Sequence, residues 1–246
     1  MTARARPAAI PQLTADEAAF VRSLVIHEDA DVLALNKPAG LSSQGGRIKA
    51  HTLDDLLWAF VKPSGRRPVL VHRLDRDTSG VILAARSKPA AGFLGKALTA
   101  RRFTKTYLAI VAAPPEPRSG VIAAAMRREA IGREAYMRVT PPDHPDAESA
   151  LTRYRTLAEA EAAALVELEP ETGRMHQLRV HLASIGRPIA GDARYGGPLV
   201  LAGRPAPRLM LHAAQLSFPH PQGGTRTVEA PPPCDFETVL QAVGLR

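Results

Sequence analysis

Apolar positions along the chain fall into helical stripes and short strand-length runs, separated by clusters of turn residues. Residues 14–22 predict a short helix that Thr14 can cap. The run Val32-Leu33-Ala34-Leu35 predicts a strand, stopping at Asn36-Lys37-Pro38-Ala39-Gly40, a turn by composition. Residues 51–61 carry Leu53, Leu56, Leu57 and Phe60 at helical offsets. Residues 68–74 and 80–85 predict two strands around a polar loop. Residues 89–102 predict a helix whose basic end, Lys96, Arg101 and Arg102, suits the helix dipole. Residues 103–112 alternate, which puts Phe103, Lys105, Tyr107, Ala109 and Val111 on one strand face.

In the second half, residues 113–119 and 141–148 are Pro-rich connections. Residues 150–157 and 164–168 predict strands, and the Ala/Glu-rich stretch between them fits either a helical turn or a hairpin. Met175, Leu178, Leu182 and Ile185 form one stripe of a helix over 175–185. Residues 209–218 alternate again, before a Pro-rich tail. Strands mixed irregularly with helices argue an α+β fold over regular βαβ alternation. With no repeat and no long linker, the expected organisation is an arm and short helix over residues 1–23 and a single domain over 24–246.

Composition narrows the class. The chain has 246 residues, 45% hydrophobic and 23% charged, the ordinary globular range, so wholesale disorder is excluded. The longest apolar stretches, such as Val81 to Ala85, fall far short of the roughly 20 residues of a membrane span. One cysteine, Cys234, can form no internal disulfide and fits a reducing compartment. No apolar segment follows Arg4 and Arg6 as in a secretory signal, so a cytoplasmic location is expected. The charge is the informative number: 32 Lys and Arg against 24 Asp and Glu give +8, with a pI near 10.1. Such an excess attracts polyanions by releasing their counterions.

Two clusters could carry chemistry. In Val71-His72-Arg73-Leu74-Asp75-Arg76-Asp77-Thr78-Ser79-Gly80, Asp75 is flanked by Arg73 and Arg76, which favour its ionised form. An ionised carboxylate in a cleft can serve as nucleophile or base, although Asp77-Thr78-Ser79-Gly80 is also plain turn chemistry. In the second cluster, residues 171–181, Thr172 can cap a helix, and Arg174 sits at its start, where backbone donors favour phosphate. His176 and Arg179 fall side by side at the border of the apolar stripe, so Arg179 suits a buried carboxylate partner. His176 and His181 are five apart and share no helical face, which argues against a metal pair. Neither a Gly-rich phosphate loop nor a Gly-x-Ser-x-Gly elbow is present, so nucleotide hydrolase and serine esterase chemistry lack support.

These clusters together resemble the RluA-type pseudouridine synthase family. The resemblance rests on His72 to Gly80, on Arg102-Phe103-Thr104-Lys105-Thr106-Tyr107, and on Gly173-Arg174-Met175-His176-Gln177-Leu178-Arg179-Val180-His181. Asn36 to Leu41, Gly186 to Asp192 with Tyr195-Gly196, and Leu209 to Ala213 flank them in the family's order. It implies isomerisation of uridine to pseudouridine in structured ribosomal or transfer RNA, without cofactor or metal, on a mixed, mostly antiparallel sheet with a central cleft. It carries the nucleophile onto Asp75, the active-site tyrosine onto Tyr107, and the arginine paired with the aspartate onto Arg179. Arg73, Thr78, Lys37, Arg174, His176 and Gln177 are the expected substrate contacts. The partner expected is an RNA stem-loop, met by a monomer. The rival is a non-catalytic basic RNA-binding protein, which gives no reason for Asp75, Tyr107 and Arg179 to occur together. An aromatic content of 4% also argues against a stacking platform.

Overall fold

The computed structural model describes residues 11–45, 51–132, 134–201 and 203–245, so the first ten residues of the expected arm lie outside it. Thr14 opens α1 (Ala15–Ser23) with a capping box: its hydroxyl accepts from the Glu17 N–H, and the Glu17 carboxylate accepts from the Thr14 N–H. Val21 of α1 is fully buried beside Leu33, Leu53 and Leu57. The helix is thus part of the packed body.

Strands β1 (Val25–Glu28) and β2 (Val32–Lys37) follow, then a four-residue helix α2 (Leu53–Leu56) that tightens into a 3-10 turn over Leu57–Phe60. The strand expected over 68–74 shrinks to β3 (Val69–Leu70), since the chain leaves the sheet to form the polar loop. Next come β4 (Ser79–Ala85), α3 (Lys88–Thr99) and β5 (Thr104–Val111). β6 (Ser119–Ala123) and the hairpin β7 (Met126–Ile131) and β8 (Glu134–Val139) had no apolar signal to announce them. β9 (Leu151–Ala160) and β10 (Ala163–Pro170) pair directly, Ala160 opposite Ala163, so residues 158–163 are a hairpin. The chain ends with α4 (Gln177–Ser184), the short pair β11 (Val200–Leu201) and β12 (Arg204–Pro205), β13 (Leu211–Pro219), β14 (Thr225–Glu229) and α5 (Cys234–Ala242). The Pro-rich tail therefore leads into a helix, with Pro233 at its N-cap and Phe236, Val239 and Leu240 buried.

Among the described residues, ten strands form one sheet in the order β1-β2-β4-β13-β5-β10-β9-β6, with β3 also on β4 and β14 on β13. The architecture is α+β. β13 runs parallel to β4, opposing His212 to Ser79, and antiparallel to β5. The apolar runs of β2 and β4 are continuous because both faces are covered. Val32, Ala34, Val81 and Leu83 face Leu94 and Ala97 of α3, while Leu33, Leu35, Ile82 and Ala84 face α1 and α2. Gly80 lets β4 approach β13: its φ is +114°, and a Cβ there would stand 2.1 Å from the Ala213 carbonyl oxygen. The Ser79 hydroxyl meets His212 Nδ1 at 2.9 Å, and His212 Nε2 meets the Ala230 carbonyl at 3.0 Å, which pins the seam. No helix among the described residues is long and apolar enough to cross a membrane.

Candidate active site

Asp75 lies in the loop between β3 and β4, in a turn closed by the Thr78 N–H on the Asp75 carbonyl at 3.2 Å. The backbone on either side is clipped to the segment after β2. The Ser43 hydroxyl donates to the Leu74 carbonyl at 2.7 Å and accepts from the Leu74 N–H at 3.1 Å. Beyond Asp75, the Arg76 carbonyl accepts from Lys37 Nζ at 3.0 Å and from the Gly40 N–H at 2.9 Å. Lys37 Nζ also donates to the carbonyls of Pro38 and Leu41, at 2.9 and 2.8 Å, so its three protons go to main chain. Burial lowers its pKa to about 7 against the pull of Asp77 and Asp75. Lys37 is fully buried, which corrects its assignment as a substrate contact: it braces the loop that presents Asp75.

A cavity of about 230 Å³ opens beside Asp75, walled by Tyr107, Leu211, Pro170 and Leu178, with Arg179 at its edge. It adjoins a second of about 540 Å³ that shares Asp75, Arg73, His176 and Arg179. The Asp75 side chain is 28% exposed, open enough to be reached from the cavity. Tyr107 reaches the cavity from the middle of β5, between Ala213 of β13 and Leu168 of β10. Burial, and then the Asp75 charge, push the Tyr107 phenol well above its ordinary pKa, so it is held protonated. Arg73 is exposed at the mouth, and Thr78 is buried in the inner wall.

Helix α4 starts later than the sequence suggested. Its N-cap is His176, in left-handed backbone at φ 54°. Thr172 is displaced from capping because its hydroxyl donates to Gln177 Oε1 at 2.7 Å and accepts from the Leu151 N–H at 3.0 Å. Gln177 Oε1 also accepts from the Arg174 N–H, and Gln177 Nε2 donates to the Leu151 carbonyl and the Thr152 hydroxyl. Gln177 borders the cavity, but its hydrogen-bonding capacity is spent inside the fold; its assignment to substrate is corrected on that ground. Arg174 precedes the helix and pairs with Glu148 at 2.5 Å, a partly exposed contact that a competing anion can displace. Met175 and Ile185, the ends of the expected stripe, are exposed, while Gln177 to Leu182 are all buried between the main sheet and the β7–β8 hairpin.

Arg179 has the buried carboxylate partner that its position suggested, but that partner is Asp192. Two bonds of 2.7 Å join them, with Asp192 fully enclosed. Asp192 also accepts from the N–H groups of Arg194 and Tyr195. A direct Arg179–Asp75 pair is therefore corrected. Burial opposes the Arg179 charge, but its bonds to Asp192, with Asp75 adding, raise its pKa overall. Arg179 reaches Asp75 by field, while His176 Nε2 stands 3.9 Å from the Asp75 carboxylate.

Ser43, Asp192, Tyr195 and Lys105 also shape the site, although only the last three lie inside the family motifs. Lys105, two residues before Tyr107, lines the inner cavity and a third of about 380 Å³ that also meets Arg73, Arg101 and Arg174. Burial lowers its ammonium pKa. The shared strand face of Lys105 and Tyr107 was the available signal.

Comparison with known proteins agrees with this geometry. A family profile described as RNA pseudouridylate synthase matches residues 31–184. The chain is 35% identical to ribosomal large subunit pseudouridine synthase C of Vibrio parahaemolyticus, over 96% of this chain and 73% of that protein. It is 37% identical to the Escherichia coli K12 protein of the same name, over 87% of this chain and 67% of the other. Among solved structures, human RNA Pseudouridylate Synthase Domain Containing 4 superposes with a TM-score of 0.81 at 27% identity, covering 94% of this chain and 98% of that one. A carboxylate on a braced loop, a buried tyrosine and an arginine around one cleft thus stand on the matching fold: the chain belongs to the RNA pseudouridylate synthase family and is an RNA pseudouridine synthase, an isomerase.

Proposed function

We propose that the substrate is a uridine in a stem-loop of ribosomal RNA, with Asp75 as nucleophile and no cofactor in the reaction. The observation that carries this is the pair of backbone braces at Leu74 and Arg76, which hold the Asp75 carboxylate at the mouth of a cavity that Tyr107 and Arg179 also line. Two relatives named for the large ribosomal subunit favour that RNA over transfer RNA. The expected setting is a cytoplasmic monomer.

The uridine must first leave its stack, at a cost of a few kcal/mol. Phosphate contacts from Lys105, Arg101 and Arg174 along the outer cavity offset that cost, and Arg73 at the mouth is placed to enter the vacancy. The bond between uracil nitrogen 1 and the ribose breaks, with Asp75 bonding to a substrate carbon or taking a sugar proton. The base turns, carbon 5 bonds to the ribose, and Asp75 is set free: its bond to the substrate carbon breaks, or the sugar proton it took goes back. Carbon 5 then gives up one proton and nitrogen 1 gains one, so the step is a balanced isomerisation. A protonated Tyr107 cannot act as a free base. It can accept the carbon 5 proton only while passing its own to a carboxylate, which makes it a relay. Arg179 stabilises the negative charge on Asp75 and on the detached uracil.

Mapping pseudouridine across total RNA from cells with and without the gene tests the substrate. A ribosomal RNA uridine converted only when the gene is present is the expected result; a change confined to transfer RNA would overturn that assignment. Tyr107→Phe keeps the ring, so stability should change by about 1 kcal/mol. Single-turnover conversion should nevertheless fall by roughly a hundredfold or more while RNA affinity holds. Full activity in this variant would remove the relay.

A further inference from the structure

Among the described residues, His176 stands between Asp75 and a built hydrogen-bond chain. Its Nδ1 stands 2.7 Å from the Tyr195 hydroxyl. That hydroxyl oxygen already accepts from the Met137 N–H of β8 at 3.1 Å. Among the described residues the Tyr195 proton has no acceptor other than His176 Nδ1, so Tyr195 donates and Nδ1 accepts. A neutral imidazole with Nδ1 accepting carries its proton on Nε2, and Nε2 points at Asp75 Oδ2 from 3.9 Å.

The surroundings hold this arrangement in place. Arg179 lies over the Tyr195 ring at 5.0 Å, and the rings of His176 and Tyr136 meet it edge-on at 5.5 and 6.2 Å. Tyr195 therefore cannot swing its hydroxyl away without breaking three packed contacts. His176 itself sits in left-handed backbone, a conformation that costs a non-glycine residue energy and persists where the surrounding structure imposes it. The charged groups facing the imidazole are Asp75, Asp192, Arg179 and Arg194; burial and the two arginines favour its neutral form over the pull of the two carboxylates.

We propose that His176 is a positioning residue for Asp75: fixed by Tyr195 as the Nε2–H tautomer, it donates to Oδ2 when uridine closes the gap, and leaves Oδ1 as the attacking oxygen. The proposal rests on the reading of Asp75 as nucleophile. At 3.9 Å the contact is longer than a hydrogen bond, so the proposal requires it to shorten in the substrate complex, as catalytic contacts commonly do. It also replaces the assignment of His176 as an RNA contact, and it gives the β7–β8 hairpin a part in the reaction through the Met137 N–H.

Nitrogen-15 shifts of histidine in the free full-length protein read the tautomer without any RNA. The wild type should show a protonated Nε2 and a bare Nδ1 for His176, and Tyr195→Phe, which keeps the ring stack, should give a mixture of tautomers. With transcribed large-subunit ribosomal RNA as probe, Tyr195→Phe should lower kcat by up to about tenfold at unchanged KM, the value of the one neutral hydrogen bond that biases the tautomer. His176→Gln, whose amide nitrogen reaches the place of Nε2, should retain far more turnover than His176→Leu. Both pay the same left-handed backbone cost, so their difference reads the donor alone. A proton found on Nδ1, a His176→Leu enzyme with wild-type kcat, or a loss confined to KM would each overturn the proposal. A wild type that forms no pseudouridine on any RNA would instead overturn the reading of Asp75, and the nitrogen shifts would still decide the tautomer.

Discussion

Asp75→Asn is expected to leave a folded protein that binds RNA and forms no pseudouridine. The substitution removes an attacking oxygen but none of the bonds that hold the loop, because the braces grip the main chain of Leu74 and Arg76. Stability should therefore change by less than about 1 kcal/mol, since the side chain is partly exposed and its contact with His176, at 3.9 Å, is longer than a hydrogen bond. Turnover should fall by roughly four orders of magnitude or more, the scale on which loss of a nucleophile is felt. Affinity for RNA, set by basic side chains such as Arg73 and Lys105, should be unaffected or slightly raised by loss of a negative charge. Product formation assayed alongside filter binding separates the two effects. Turnover near wild type would show that another group breaks the bond to nitrogen 1.

Asp192→Ala should do the reverse and damage the fold. Arg179 is 8% exposed and Asp192 1%, so removing the carboxylate leaves a buried guanidinium without its bidentate partner. Breaking a buried pair from one side typically costs about 3–5 kcal/mol. The N–H groups of Arg194 and Tyr195 lose their acceptor as well. Glu171→Ala breaks the half-exposed pair with Arg153 and should cost less than about 1 kcal/mol, a built-in control. Urea midpoints of the two variants make the comparison. Near-equal midpoints would mean that water reaches Arg179 when its partner is gone.

What the sequence disclosed follows from physical range. Elements set by local chemistry were legible: the Thr14 cap, the strand runs at 32–35 and 80–85, and the alternation that became β5. Motif order disclosed the cleft, since Asp75, Tyr107 and Arg179 line one cavity. What stayed hidden depended on distant partners. Lys37 and Gln177 look like ligands in a motif, and only the tertiary fold shows their polar atoms turned onto backbone carbonyls and on Thr152. Asp192 stood in a quoted motif, but nothing local distinguishes a buried counter-ion from a turn aspartate. The β7–β8 hairpin escaped because its charged residues, such as Arg127, Glu129 and Arg138, mask the sparse buried positions Met126 and Met137. α5 is masked in the sequence by the prolines ahead of it, which follow the end of β14 and leave Pro233 at the N-cap position without a capping side chain.

The place of β13 in the sheet has a consequence for synthesis. A ribosome makes Asp75, Tyr107 and Arg179 before it makes Leu211–Pro219, yet β4 and β5 become neighbours only through that strand. Emerging first, β1, β2 and β4 can zip together on one side, and β5, β10, β9 and β6 on the other. Each half is closed by contacts near in sequence, and the last joint waits for one far away, the slow kind of closure. Asp75 and Tyr107 then stay on separate half-sheets until Leu211–Pro219 has been made and has docked between β4 and β5. The cleft is thus assembled last, by a strand whose chain lies far from the loop that carries Asp75.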